Sequence, residues 1–444
     1  MTAQAWSGFF VSLPWVWMNT TIILVIIIVF SFVASRLLKR YVPAYFAFSG
    51  AEYLALGIVL GPLVTSFVQK ETLQHLEPVI SLLLGLVGFT LGLRLREHVS
   101  EVKSLGPRVI ASAIAIAVPA VGCAAFLTLA PVEPLAREQV LILSGTVGVM
   151  ACVSSSTRIE AVARLLSASG WVTRNLLAFS IVSDTIAVFC FGIIASVLRS
   201  RAVGGVLGGF DPLTWLGASA GVGVICGLLF IAFIGRVRST PHVFLATLGC
   251  VIFASGVATA LGLSPLFINL IVGATLALLS KHAEILRGVV QRLDHPTLIL
   301  LLIFADIVWK PIEQPWMWVF VPLYMILRFV GLRTGTALMV PLIKGSGRVR
   351  RFGNGLLSQG VIAVAIAVDF TRLSPENASF ALTTLLLAML AQDFMATRSL
   401  RRVLADAEEL YTDMVLPERG AGPDGLGEGS PTWAELADGA GEGR

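Results

Sequence analysis

Asp184 is the residue of this sequence with the clearest potential for chemistry, because it lies inside a long apolar stretch. It is the only carboxylate between Asn175 and Val197. Nine residues of helix from Asn175 cover about 14 Å, roughly half of a 30 Å hydrocarbon core. A carboxylate at that depth costs about 3 kcal/mol or more, so a retained one usually binds an ion, carries a proton or has a buried partner. The position of Asp184 therefore indicates transport.

Two other apolar stretches are interrupted by polar or helix-weakening residues. One contains Ser154-Ser155-Ser156-Thr157-Arg158, and the other contains Gly353-Asn354-Gly355 followed by Ser358-Gln359-Gly360. A broken helix is tolerated at membrane depth only where it is buried in protein or lines a cavity. For either interruption alone, close helix packing by small residues is the alternative interpretation. Paired breaks in corresponding halves, together with Asp184, predict an ion site between inverted repeats.

The composition of the chain places these residues in a membrane. Of the 444 residues, 56% are hydrophobic and 13% are charged, and the mean hydropathy is +0.86. These values exclude a water-soluble globule of ordinary make-up and predict a polytopic helical protein in a lipid bilayer. The net charge of +5 implies no nucleic-acid partner, and no hydrolytic or nucleotide-binding motif supports an enzyme. We expect no cofactor beyond the transported ions.

About thirteen apolar segments are long enough to span the membrane. They centre near Ile27, Leu56, Gly85, Ala117, Val149, Ile186, Val224, Phe253, Val272, Leu302, Met325, Ala363 and Leu387. Basic residues such as Lys39 and Arg40, or Arg401 and Arg402, follow the odd-numbered segments. The positive-inside rule then predicts a multi-pass protein of the inner (plasma) membrane with its N-terminus outside and its C-terminus in the cytoplasm.

The composition changes near the end of the chain. Residues 404–444 are rich in Gly, Glu, Asp and Pro, which is typical of a segment that buries too little apolar surface to fold. We therefore predict a transmembrane transporter domain over residues 1–403 and a disordered cytoplasmic tail over residues 404–444.

Several short motifs, taken in order, resemble the monovalent cation:proton antiporters, specifically their thirteen-span bacterial branch. Gly57-Ile-Val-Leu-Gly-Pro62 is similar to the Gly-x-x-Leu-Gly-Pro turn of that family, and Gly88-Phe-Thr-Leu-Gly-Leu93 to its Phe-x-x-Gly-Leu run. Ile181-Val-Ser-Asp184 lies where the family has an Asp-Asp or Asn-Asp pair, and Leu356-Leu-Ser-Gln-Gly360 resembles the break of its second crossing helix. The resemblance covers roughly residues 49–402.

The resemblance implies an all-α fold of about 13 transmembrane helices with inverted repeats and two crossing discontinuous helices. Residues of about 17–100 and 241–310 would form a scaffold that makes a homodimer. Residues of about 108–200 and 316–403 would form the ion-binding core, which moves against the scaffold to give alternating access.

The resemblance also implies the roles of individual residues. Asp184 would alternately hold a proton and a monovalent cation, Na⁺ or K⁺, and Ser155, Ser156 and Thr157 would supply oxygen ligands. Ser183, which stands where the family has Asp or Asn, is a further candidate for the ion site. Its hydroxyl can donate a hydrogen bond or coordinate an ion, but it carries no charge at neutral pH.

Arg328 falls where the family often has Lys or Arg, and arginine is effectively never deprotonated. A structural role, paired with a carboxylate such as Glu160 or with backbone carbonyls, is the alternative for Arg328. Glu160 would otherwise point into a cytoplasmic funnel. With Asp184 as the only titrating group of the core, we predict electroneutral exchange.

Two other functions fit the sequence. A cation-coupled symporter of an organic anion on a related fold would need further polar residues that bind the substrate. A non-transporting membrane sensor is left open by the missing first acid of the Ser183-Asp184 pair.

Overall fold

The computed structural model describes residues 70–102, 106–129, 137–202, 211–234, 240–280, 293–309, 315–339 and 351–409, together with Leu286, Gly288 and Val290. This part of the chain is helical and contains no strand. Its main helices are α1 (Lys70–Val102), α2 (Gly106–Leu129), α3 (Arg137–Cys152), α4 (Ser156–Leu165), α5 (Trp171–Ala202), α6 (Pro212–Ile234), α7 (Thr240–Ala260), α8 (Pro265–Leu279), α9 (Asp294–Val308), α10 (Pro315–Met339), α11 (Val361–Leu373) and α12 (Ala378–Asp406). A 3₁₀ turn, Phe352–Leu356, precedes α11, and another, Pro375–Asn377, precedes α12.

The predicted apolar segments coincide with these helices, except the first two. The segments near Ile27 and Leu56, like most of the tail predicted over 404–444, lie outside the described residues. Within the described ranges, six helical spans are long and apolar enough to cross a membrane, and a seventh if the bent segment 375–406 counts as one. Three shorter apolar helices accompany them. The predicted all-α, multi-span fold class is confirmed.

Large apolar side chains of α6 and α7 face outward. Leu213, Phe233 and Leu245 are 77%, 72% and 66% exposed, respectively. Lipid accommodates such a surface, whereas a protein in water rarely carries so much of it. The two helices therefore form part of the boundary with the bilayer.

Glycines allow α1 and α8 to pack at very short distance. A Cβ atom at Gly88 would lie 2.1 Å from the carbonyl oxygen of Leu266, and one at Gly92 would lie 2.4 Å from that of Leu270. From the other side, a Cβ at Gly273 would lie 2.3 Å from the carbonyl oxygen of Phe89. Small residues that bring two backbones together are a common means of helix association in membranes.

A carboxylate next to the end of α12 caps the helix that carries Asp184. Glu409 accepts hydrogen bonds from the backbone N–H groups of Val172 and Thr173, and from the Thr173 hydroxyl at 2.7 Å. These N–H groups belong to the first turn of α5, which has no intrahelical acceptors for them. Glu409 thus links the segment after α12 to the first turn of α5.

We predict that Gly88→Ala destabilises the purified protein by about 2 kcal/mol, because the added methyl group overlaps backbone atoms that cannot move aside. The melting temperature in detergent measures this change. Gly249→Ala is the matched control, since a Cβ on that glycine of α7 meets no described heavy atom within 4 Å. An equal melting temperature for Gly88→Ala and Gly249→Ala would contradict the close α1–α8 contact.

Candidate functional site

The first predicted break lies between α3 and α4. Helix α3 ends at Cys152, the next three residues are not helical, and α4 begins at Ser156. Ser155 is the N-cap residue of α4, and its hydroxyl accepts a hydrogen bond from the backbone N–H of Arg158. The same hydroxyl lies 3.1 Å from that of Thr157. Serine is a favoured residue at this position because its oxygen replaces a missing backbone acceptor.

The second predicted break crosses the first. The 3₁₀ turn Phe352–Leu356 ends before a non-helical stretch over 357–360, and α11 begins at Val361. The backbone N–H of Ser155 donates to the carbonyl oxygen of Ser358 at 2.9 Å, which joins the two breaks directly. Gly360 is needed at the crossing, since a Cβ there would lie 2.8 Å from the Ser155 Oγ. The predicted pair of crossing discontinuous helices is confirmed.

Arg328 from α10 binds the carbonyl ends of both broken helices. Its side chain is fully buried. It donates to the carbonyl oxygens of Ala151 and Val153 at 3.1 and 2.8 Å, and to those of Leu356 and Leu357 at 3.3 and 2.6 Å. The fifth donor goes to the side-chain oxygen of Gln392. A guanidinium has five N–H donors, so all of them have acceptors in the frame of the protein.

Side chains on one face of α5 form hydrogen bonds with the backbone of the first break. The Ser183 hydroxyl donates to the carbonyl oxygen of Cys152 at 2.6 Å, and the Ser180 hydroxyl to that of Ser154 at 3.1 Å. The backbone N–H of Ser154 donates to Asp184 Oδ1 at 3.0 Å. Asp184 is fully buried, and its Oδ2 has no hydrogen-bond partner among the described residues.

A cavity borders the buried aspartate and opens between helices α1 and α9 on one side and the two breaks on the other. The empty space between its lining residues is about 500 Å³, part of which is open to the outside of the protein. Besides Asp184, the residues that line it are Leu86, Val87, Thr90, Leu91, Arg94, Ser154, Ser155, Ser156, Thr157, Leu293, Thr297, Gly360, Val361 and Ile362. The lining combines one carboxyl group with several hydroxyl groups, and oxygen atoms of this kind are the ligands that hard cations take.

The structure brings four of the predicted site residues together around this cavity: Asp184, Ser155, Ser156 and Thr157. Ser183 and Arg328 lie beside it, with their polar atoms directed to backbone carbonyls. Glu160 is not part of the lining. Of the two alternatives for it, pairing with Arg328 is not observed, because the Arg328 donors bind other acceptors, and the funnel position stays a prediction. The Glu160 carboxylate lies 3.6 Å from Arg164, one turn further along the surface of α4.

Sequence reasoning did not identify Arg94 as a residue of this cavity. Arg94 is 5% exposed, and its Nη1 donates to the Ser156 hydroxyl at 2.9 Å. Ser180 was also missed, although its spacing of three and four residues from Ser183 and Asp184 places it on the same helix face.

A buried ion pair joins the start of α4 to α12. Arg158 Nη1 lies 2.5 Å from Asp393 Oδ1, and Arg158 Nη2 donates to Asp393 Oδ2 at 2.7 Å. The two side chains are 6% and 1% exposed. The partner of Asp393 therefore comes from the start of α4, next to the first break.

This arrangement of crossed broken helices beside a buried aspartate is similar to the fold of a solved sodium proton antiporter. It superimposes on MjNhaP1, the sodium proton antiporter of Methanocaldococcus jannaschii, in a structure determined at pH 8, with a TM-score of 0.61 and 14% identity over 88% of this chain and 97% of that one. An electron-microscopy structure of MjNhaP1 gives a TM-score of 0.59 at 14% identity, over 91% of this chain and 100% of that one. No family profile and no curated protein sequence matches the chain.

We predict that Arg328→Gln destabilises the protein by about 3 kcal/mol or more, because buried carbonyl groups at both breaks lose their donors. Arg328→Lys is expected to recover little of this loss, since an ammonium cannot reach five spread acceptors. The melting temperature in detergent measures both variants, with the exposed Arg333→Gln on the same helix as control. If Arg328→Lys melts like the unchanged protein, the guanidinium geometry is not what holds the breaks.

We predict that the stability losses caused by substituting Arg158 and Asp393 are strongly non-additive. Arg158→Met and Asp393→Leu each leave one buried charge without its partner, which costs about 3–5 kcal/mol. The double substitution is expected to be more stable than either single one, because it removes both charges. Melting temperatures of the four proteins form the cycle, and additive losses would argue against a direct pair.

Proposed function

We propose that the protein exchanges a monovalent cation, Na⁺ or K⁺, for a proton across the membrane, with both ions competing for Asp184. The observation that carries the proposal is the free Oδ2 of this buried carboxyl group, which borders a cavity lined by hydroxyl groups. The antiporter fold supports it. The hydroxyls of Ser155, Ser156 and Thr157 are the proposed additional oxygen ligands.

Competition follows from the cost of an isolated buried charge. A buried carboxylate is disfavoured as a bare anion even with Arg94 in the same cavity, whereas a proton or a bound cation neutralises it directly. The ion-free, deprotonated site is therefore the least stable state. Movement of the core from one side of the membrane to the other is therefore disfavoured while Asp184 holds no ion. Coupled exchange requires this restriction.

The other buried carboxylates support electroneutral exchange. Asp393 is held by Arg158, and Asp369 is held by Arg372 at 3.1 Å and by the hydroxyl of Ser264. Asp306 does not line the cavity. If Asp184 alone exchanges its charge, one cation replaces one proton and the cycle moves no net charge. A net charge would couple the cycle to the membrane potential by about 2.3 kcal/mol per 100 mV.

The proposed setting is the inner membrane, with the N-terminus outside and the C-terminus in the cytoplasm. The family resemblance supports a homodimer in which the core, residues of about 108–200 and 316–403, moves against the scaffold. The cavity supports alternating access, since α1 and α9 of the scaffold provide one wall and the two breaks of the core provide the other.

We expect Asp184→Asn to abolish cation-induced proton flux in proteoliposomes, because the amide holds neither a proton nor a cation by charge. Flux is measured with sodium, potassium and lithium added in turn, and with the membrane potential clamped or free. Asp406→Asn is the control, since Asp406 is an exposed carboxylate at the end of α12. In the unchanged protein we expect the same flux whether the membrane potential is clamped or free.

The same assay identifies the outcomes that contradict the proposal. Unchanged flux in Asp184→Asn contradicts the proposal that Asp184 is the exchange site. Flux that depends on the membrane potential contradicts electroneutral exchange but is compatible with Asp184 as the site. No flux in any protein favours the non-transporting sensor.

A second candidate, symport of an organic anion with a cation, is favoured by one observation. Arg94 places a permanent positive charge in the same cavity as Asp184. Proton or cation flux that appears only after an organic anion is added would support this candidate over the exchanger.

A further inference from the structure

Polar side chains of α11, in the proposed core, bind two helices of the proposed scaffold. Asp369 Oδ2 accepts a hydrogen bond from the hydroxyl of Ser264, the N-cap residue of α8. Asp369 Oδ1 is bound by Arg372 at 3.1 Å, and Arg372 Nη2 lies 2.9 Å from Glu77 Oε1 on α1. Asp369 is fully buried, so water screens its bonds poorly. One buried carboxyl group of the core is thus tied to α8 directly and to α1 through Arg372.

These contacts lie away from the ion cavity along both helices. Asp369 follows Ile362, which lines the cavity, by seven residues, and Glu77 precedes the lining residue Leu86 by nine. The two intervals correspond to about 10 and 14 Å of helix. The contacts therefore join core and scaffold on the side of the protein away from the cavity.

A third bond joins the two parts at this end. Trp309 Nε1, just after α9, donates to the hydroxyl of the buried Thr383 on α12 at 2.7 Å. Trp309 follows Thr297, which lines the cavity, by twelve residues, or about 18 Å of helix. The far latch, as we name this set, consists of Glu77, Ser264, Trp309, Asp369, Arg372 and Thr383. None of these residues lines the cavity.

Apolar packing fills the space between Asp184 and the far latch. Gly192 lies eight residues after Asp184, about 12 Å further along α5. A Cβ at Gly192 would lie 2.5 Å from the ring of Phe267, which also packs on Phe189 with ring centroids 5.8 Å apart. The backbone N–H of Phe267 donates to the Ser264 hydroxyl at 3.1 Å. The residue that binds Asp369 therefore also positions the first turn of α8 against the helix that carries Asp184.

We propose that the far latch is a gate, which holds core and scaffold together on the side away from the cavity and must open before the ion at Asp184 can reach that side. This inference rests on the proposed function and assigns residues to its conformational step. Movement of the core against the scaffold leaves bonds within the core intact and breaks bonds between the two parts. Every latch group is polar, so water can replace its lost partner once this side opens.

A reversible cross-link across the latch tests whether it must open. In Glu77→Cys with Arg372→Cys, a short bifunctional thiosulfonate joins α1 to α11, and a reductant cleaves the link. We expect cation-induced proton flux in proteoliposomes to be lost on cross-linking and to return on reduction. The control pair is Gln139→Cys with Glu376→Cys, because these side chains bond at 2.9 Å between two elements of the core. Its flux should survive the cross-link, and each single-cysteine variant reports the effect of the reagent on the native thiols.

A second measurement needs no transport. Ser196 on α5 is 3% exposed and lies three residues before Arg199, whose Nη1 would be 2.6 Å from a Cβ at Gly262 of the scaffold. The rate at which a water-soluble maleimide modifies Ser196→Cys in detergent, read by peptide mass spectrometry, therefore reports opening at this end. Adding Asp369→Asn removes the charge of the central latch group and is expected to speed the modification about tenfold. The matched control is Ser144→Cys, a position within the core that is 1% exposed and whose rate should not change.

Each outcome decides the proposal. An unchanged rate at Ser196→Cys, or unchanged flux in the cross-linked Glu77/Arg372 pair, overturns the gate. Equal acceleration at Ser144→Cys overturns it as well, because the protein has then loosened as a whole. Absent flux in every protein, with faster modification at Ser196→Cys alone, refutes the exchanger and retains the gate. If Asp369→Asn does not fold, Glu77→Gln takes its place, since it breaks the link to α1 at a half-exposed position.

Discussion

Backbone groups that are freed where two helices break inside the bilayer must find partners within the protein, because lipid offers none. The end of α3 and the end of the Phe352–Leu356 turn each present carbonyl groups, and Arg328 binds them together. The hydroxyls of Ser180 and Ser183 bind others from α5. The helices around the crossing are therefore positioned by a requirement for hydrogen bonds as much as by apolar packing.

The hydrogen bonds at the breaks also involve the carboxyl group of Asp184. Asp184 Oδ1 accepts a hydrogen bond from the backbone of the first break, while Oδ2 has no hydrogen-bond partner in the part of the chain that the structure describes. The two nearby arginines make different contacts. Arg328 holds the frame through every donor, whereas Arg94 reaches into the cavity from the other wall. A rigid crossing with one free carboxylate oxygen is suited to binding small ions one at a time.

The spans, both breaks and the buried position of Asp184 were predictable, because apolar length and an isolated intramembrane acid are strong local signals. The partners of charged side chains were not. Arg94 reads as a basic residue at a span end, and Arg158 and Asp393 are separated by most of the core sequence. Their positions depend on which helices pack together, and a single sequence carries no such signal. For Arg328, the residue type permitted both a mechanistic and a structural role, and only its contacts place it on the carbonyl ends.

The central claim is that a cation and a proton exclude one another at Asp184. Its most direct measurement is the release of protons when Na⁺ or K⁺ is added to purified protein in weakly buffered detergent solution, followed with a pH indicator and compared with the amount of cation bound. At a pH low enough for the cation-free Asp184 to be protonated, competition predicts about one proton released per cation bound, and none from Asp184→Asn. Cation binding without proton release at any pH in a titration from acid to alkaline, or release that persists in Asp184→Asn, would contradict it.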